Sequence, residues 1–276
     1  MKSYLKLVNF EINRFLKLYV ALAAFTVIVQ TAVVIIHARS YLATAKDAVT
    51  KDMIPRETFL SDYGPMSIVR AMDGWFQLPI AICIAVLLIY CFMIWYRDWF
   101  GKNTFIYRLL MLPTNRIHIY LAKATAIFFM VLGLVSLELL LLPAESKLVE
   151  LMVPIDYRED YSLNGIMEAF GDLNILFPKT ITEFLIHYGI GLMMVFILFT
   201  SILIERCYRL KGILYGGIYF AFALVIFLLP NIVLIFAHTN YLYPVEMFFV
   251  ELLLGILVTA MSIGLSHYLL NKKIRV

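Results

Sequence analysis

Side chains able to do acid–base, nucleophilic or metal chemistry are few in this 276-residue sequence: 19 Asp and Glu, five His and three Cys. The histidines are scattered singly over different segments, with none of the spacings that would hold a metal ion. Cys83, Cys91 and Cys207 form no CxxC pair, and two of them lie inside an apolar run. No HExxH or GxSxG motif is present. Gly101-Lys102 fails as a phosphate loop, because Tyr96 stands where its first glycine belongs and Asn103 where Ser or Thr is needed. The expectation is a chain that is not an enzyme, with no catalytic residue, no metal site and no cofactor of its own.

Three carboxylates stand out by position. Glu138 lies near one end of the apolar run 119–142, and Glu246 and Glu251 lie at the start of the run 245–270. A charge at such depth is costly unless it faces protein or water. They are pathway or vestibule candidates suited to a cationic or amphipathic passenger; the plainer alternative is ordinary interfacial carboxylates.

The second constellation is the polar segment 97–117, between two apolar runs. Thr104 can cap a short helix, Phe105, Leu109 and Leu112 share one of its faces, and Pro113 ends it. Flanked by Arg97, Lys102, Arg108 and Arg116, this helix is either a linker held at the lipid surface or a docking knob for a cytoplasmic partner.

The elements that position these residues follow from composition. Hydrophobic residues make up 63% of the chain and charged residues 15%, against roughly 45–50% and 25% in soluble domains. That excludes a soluble enzyme, a disordered tail and a disulfide-stapled secreted domain. Six runs reach the roughly 20 residues needed to cross a membrane: 18–37, 76–96, 119–142, 183–204, 212–236 and 245–270. Pro230 is expected to kink or break the fifth. The first lacks a small-x-small cleavage site after it, so it reads as a span rather than a signal peptide. With the N-terminus inside, the inner segments carry fifteen Lys and Arg against Glu11, Asp98 and Glu205, whereas the outer loops 38–75 and 143–182 carry eight against twelve acids. The positive-inside rule therefore places both termini in the cytoplasm. The expected fold is an all-α polytopic membrane protein, a single transmembrane domain over 1–276.

Residues 1–17 place Leu5, Val8, Ile12 and Phe15 on one helical face and Lys6, Asn9, Asn13 and Lys17 on another, which predicts an interfacial helix that turns into the first span. Gly212, Gly216 and Gly217, with Ala260 and Gly264, form small-xxx-small steps that favour close helix packing, within one chain or between two. Tyr241-Leu242-Tyr243-Pro244 reads as an interfacial aromatic belt. The loop 38–75, with Met53, Phe59, Met66, Ile68 and Val69, is expected to fold back as short helices. The loop 143–182, with acidic Asp156, Glu159 and Asp160 and apolar Leu163, Ile166, Met167 and Phe170, reads either as a lid or as a solvated loop.

On this plan the segment after the second span resembles that of the permease subunits of ABC-2 type ATP-binding-cassette transporters. Gly101, Thr104, Leu109, Leu110, Leu112, Pro113, Thr114, Arg116 and Lys123 follow the family pattern in order. Lys102 and Asn103 split its Gly-Thr pair, and Asp98 replaces the usual Glu. The short 238–244 connection leaves little room for the family's re-entrant hairpin. The resemblance implies an ATP-driven exporter permease in the cell membrane of a bacterium, working as a dimer with an identical or homologous permease subunit. It implies coupling through Thr104, Tyr107, Arg108, Leu112, Pro113, Thr114 and Arg116 to a separate cytoplasmic ATPase that holds the ATP and Mg. The lipid bilayer is a partner and nucleic acid is not. A peptide antibiotic, a lipid or another amphipathic molecule would be the passenger. A non-transporting membrane sensor or scaffold is the alternative, and an intramembrane lipid enzyme a third.

Overall fold

The computed structural model describes residues 2–72, 74–100, 105–169, 175–237 and 243–274, and among these it is helical with no strand. The helices are α1 (Lys2–Thr50), α2 (Arg56–Tyr63), α3 (Ile68–Ala71), α4 (Leu78–Trp99), α5 (Phe105–Leu110), α6 (Ile117–Met152), α7 (Leu163–Ala169), α8 (Ile181–Ala237) and α9 (Pro244–Tyr268), the last followed by a π-helical turn Leu269–Lys273. Among the described residues six stretches are long and apolar enough to span a membrane, and each overlaps one of the six read from sequence.

Three expectations change. The turn anticipated near residue 17 is absent, since α1 is one helix of 49 residues. At 1.5 Å per residue it is roughly 70 Å long, about twice a hydrocarbon layer. Its buried stripe is Val8, Glu11, Phe15 and Leu22, while Leu5 is 61% exposed. The first and third spans also continue into the expected outer loops, to Thr50 and, through Pro143, to Met152. Pro230 does not break its helix, which continues to Ala237; a neighbouring helix can satisfy the backbone groups that proline frees.

The chain forms two compact units. One comprises Phe15–Val86 and Met130–Pro178. Its core gathers Val34, Ala38, Phe59, Met66, Phe76, Leu142, Val153 and Ile166, so most of the two expected outer loops is folded. Phe59 is 1% exposed, stacks on Tyr63 at 5.0 Å and lies 5.7 Å from Tyr41. Ser67 caps α3 by accepting the Arg70 N–H. Met66 N–H donates to the Tyr157 carbonyl at 2.8 Å and the Met66 carbonyl accepts from Glu159 N–H at 2.9 Å, joining the two loop regions. The acidic cluster is paired: Asp156 with Arg56 at 2.9 Å and Asp160 with Arg158 at 3.0 Å. Met53, counted among the loop's apolar residues, is exposed, and Phe170 lies outside the described residues. Phe59→Ala is expected to cost about 3–5 kcal/mol, as for other buried aromatic truncations. Thermal unfolding of the purified protein in detergent measures this, and a loss under about 1 kcal/mol would show that the loops do not depend on this core.

The other unit comprises Met1–Arg14, Leu87–Phe129 and Lys179–Val276. α8 carries two spans, Ile181–Tyr208 and Leu210–Ile235. A side chain at Gly212 would strike the Glu205 backbone, and one at Gly216 would lie 2.7 Å from the Ser201 carbonyl oxygen. The two halves are therefore antiparallel neighbours in a tight hairpin, so this small-xxx-small step packs within one chain. Gly217 and Gly264 face open space. Buried hydroxyls tie the hairpin to its neighbours. The Tyr120 hydroxyl donates to the Phe196 carbonyl at 2.9 Å, Thr200 and Ser266 share a 2.9 Å bond, and Tyr219 and Ser262 share one of 2.7 Å. Such bonds hold helices together where lipid supplies no hydrophobic drive.

Candidate functional site

The segment 97–117 lies in this second unit. Thr104 and Gly101 fall outside the described residues, as do Tyr241 and Leu242 of the aromatic belt. α5 buries Ile106, Leu109 and Leu110. Its exposed side presents Tyr107, Arg108, Met111, Leu112 and Pro113. Leu112, read on one face with Phe105 and Leu109, is 41% exposed, whereas Leu109 is buried. Arg116 is not part of that outward surface. Its guanidinium donates to the Leu270 carbonyl at 2.8 Å and the Ile274 carbonyl at 3.0 Å. It thus serves carbonyls at the end of the last helical segment, which have no helical partner and carry partial negative charge. The Thr114 hydroxyl is buried and has no hydrogen-bond partner among the described residues.

Behind α5 is a buried charge network. Lys123 on α6 is fully buried, and its Nζ donates to Glu11 Oε1 at 2.6 Å, Asp98 Oδ2 at 2.5 Å and the Ile94 carbonyl at 3.1 Å. Arg14 pairs with Asp98 at 2.7 Å and Arg97 with Glu11 at 3.2 Å. Three cations and two acids so hold α1, α4 and α6 together, and Lys123 also lies 5.3 Å from the Trp95 ring centre. Ions taken out of water must be paired this closely to be tolerated.

Arg14 joins this network to α5. Its guanidinium carbon lies 5.1 Å from the ring centres of both Phe10 and Phe105, which stack at 5.6 Å. Phe105 is the first residue of α5. One side chain therefore touches the short helix through its ring and the buried Asp98 through its charge.

From sequence, Glu11 counts only as an inner acid and Arg97 only as a flanking cation, and neither they nor Arg14 stand as site residues. A signal was present: Glu11 falls between Val8 and Phe15 on the buried stripe, and Lys123 stands in an apolar run where only a buried partner makes it tolerable.

The vestibule candidates separate. Glu138 belongs to the first unit and accepts a 2.6 Å hydrogen bond from Gln30 Nε2. Glu246 accepts from the Tyr243 N–H at 3.0 Å, so it caps the start of α9. Glu251 is half-buried and accepts from Asn231 Nδ2 at 2.7 Å. Its partner is an amide next to Pro230, and no Lys or Arg pairs with it among the described residues. Among the described residues no three His, Cys, Asp or Glu side chains come together as a metal site would need.

Fold and site define the class: an all-α, multi-pass membrane protein with a buried charge network tied to a short, half-buried helix. The chain matches no family model, no curated protein and no solved structure.

Proposed function

We propose that this chain is the permease subunit of an ATP-driven exporter of the ABC-2 type, coupled to a separate cytoplasmic ATPase through the segment that includes α5. The observation carrying this reading is the Phe105–Arg14–Asp98–Lys123 connection: a push on α5 reaches three membrane helices through groups within hydrogen-bonding or ring-contact distance. A linker helix resting on lipid has no need of such a connection.

In this reading the ATPase, holding ATP and Mg, contacts Tyr107, Arg108, Met111, Leu112 and Pro113. Arg116 leaves the contact set for a positioning role at the chain's last helical segment. Spans five and six, whose most apolar windows are each only 11% buried within the chain, leave faces for a second permease subunit and for lipid. Glu251, held by Asn231, remains the pathway candidate for a cationic or amphipathic passenger, such as a peptide antibiotic or a lipid. The cell membrane of a bacterium is the expected setting.

The test is to purify the tagged protein from its native membranes in mild detergent and assay Mg-dependent ATP hydrolysis in the eluate. Arg108→Glu combined with Met111→Glu should lower the co-purifying ATPase activity at least roughly tenfold, the scale of an interface hot spot. Lys46→Glu, an exposed cation in the other unit, should leave it intact. Equal ATPase activity from all three proteins would rule out the docking assignment.

A further inference from the structure

We propose that the cleft between the start of α1 and α5 binds one anionic phospholipid, with an acyl chain along its floor and the phosphate at Lys6. The cleft has a volume of about 430 Å³ and lies wholly within the second unit. That volume falls in the ordinary range of small-molecule pockets, roughly 300–1,000 Å³. Its walls are mainly apolar, with Leu7 and Phe10 from α1 facing Leu109 and Leu112.

Charge selects the occupant. None of the lining residues is acidic, and Lys6 is exposed and makes no ion pair among the described residues. An apolar floor with a free ammonium at its rim complements an anionic amphiphile, whereas a neutral helix would leave that charge unanswered. The surroundings point the same way. The positive-inside bias assigns this end of the helices to the cytoplasmic leaflet, whose lipids carry the negative surface charge. Exposed Leu5 beside Lys6 continues the apolar surface outward. Thr114 also lines the cleft, its hydroxyl has no partner among the described residues, and a lipid ester or glycerol oxygen would supply one. This site does not rest on the exporter reading, and its test uses the chain alone.

Native mass spectrometry of the purified protein in a neutral detergent, with added dioleoylphosphatidylglycerol or dioleoylphosphatidylcholine, measures the binding. The wild type should retain phosphatidylglycerol in preference to phosphatidylcholine. Lys6→Gln should reduce that preference roughly fivefold, the worth of one cation near an anionic surface, and Lys6→Glu should abolish it. Lys17→Glu, which alters an exposed cation elsewhere on α1, should keep it. Leu7→Asp should weaken retention of both lipids by spoiling the floor. Circular dichroism confirms the fold of each variant, and Lys6→Gln serves if the charge reversal proves unstable. Equal retention of the two lipids by the wild type, or a preference that survives Lys6→Glu, overturns the proposal. So does finding a second copy of the chain or another polypeptide as the bound species while lipid retention is unchanged.

Discussion

Lys123→Met will destabilise the protein by about 3–5 kcal/mol, the cost of breaking a buried ion pair by removing one partner. The methionine fills much of the same volume, so the loss is electrostatic rather than a cavity. Glu11 and Asp98, 3% and 0% exposed, would then share only Arg97 and Arg14. A compensated variant makes the result specific. Glu11→Gln and Asp98→Asn added to Lys123→Met remove the stranded charges and should recover part of the loss, because a neutral replacement of a whole buried pair is often tolerated. Thermal unfolding in detergent reads both proteins. If Lys123→Met unfolds with the parent, the network holds nothing together. Arg14→Gln separates stability from coupling. It keeps the Lys123 pairs but removes the cation beside the stacked Phe10 and Phe105 rings, so on the exporter reading co-purifying ATPase should remain while its stimulation by passenger falls.

Gly216→Leu should be of similar severity, about 3 kcal/mol or more, because it overpacks a backbone contact that cannot yield. Even a Cβ at that position would sit 2.7 Å from the Ser201 carbonyl oxygen, so the two halves of α8 must separate to admit the side chain. Separation would also strain the Tyr120–Thr200–Ser266 hydroxyl bonds nearby. The neighbouring Gly217 gives the internal control. A Cβ there meets nothing within 4 Å, so Gly217→Ala should be neutral or gain up to about 1 kcal/mol from helix propensity. Equal unfolding midpoints for Gly216→Leu and Gly217→Ala would contradict the hairpin.

The candidate site was partly legible in advance. The α5 segment could be found from Pro113 and the cationic flanks, because a helix stop and a charge pattern are local properties. Arg116 is read with them as a coupling residue, but an arginine at the right spacing looks the same whether it faces a partner or, as here, reaches carbonyls more than 150 residues away. Glu246 was read as a vestibule candidate, and its capping of α9 depends only on a residue three positions back. That signal was local and went unused.

What the sequence determined by itself was the six-span plan, and through its charge bias it supplied an expected orientation. A run of about 20 apolar residues has one stable home, and cations resist translocation wherever they stand in the fold. Those are properties of composition along the chain, so they survive without contacts. Tertiary structure decided the rest. It extended α1 and α6 past the runs that define their spans, since 38–50 and 143–152 are polar enough to read as loop but become helical against a shared core. It folded the fourth and fifth spans into one hairpin on two glycines whose spacing alone left the partner open. And it brought Glu11, Asp98 and Lys123 together from three separate segments, a pairing that depends on how helices meet in space and that no spacing along the chain records.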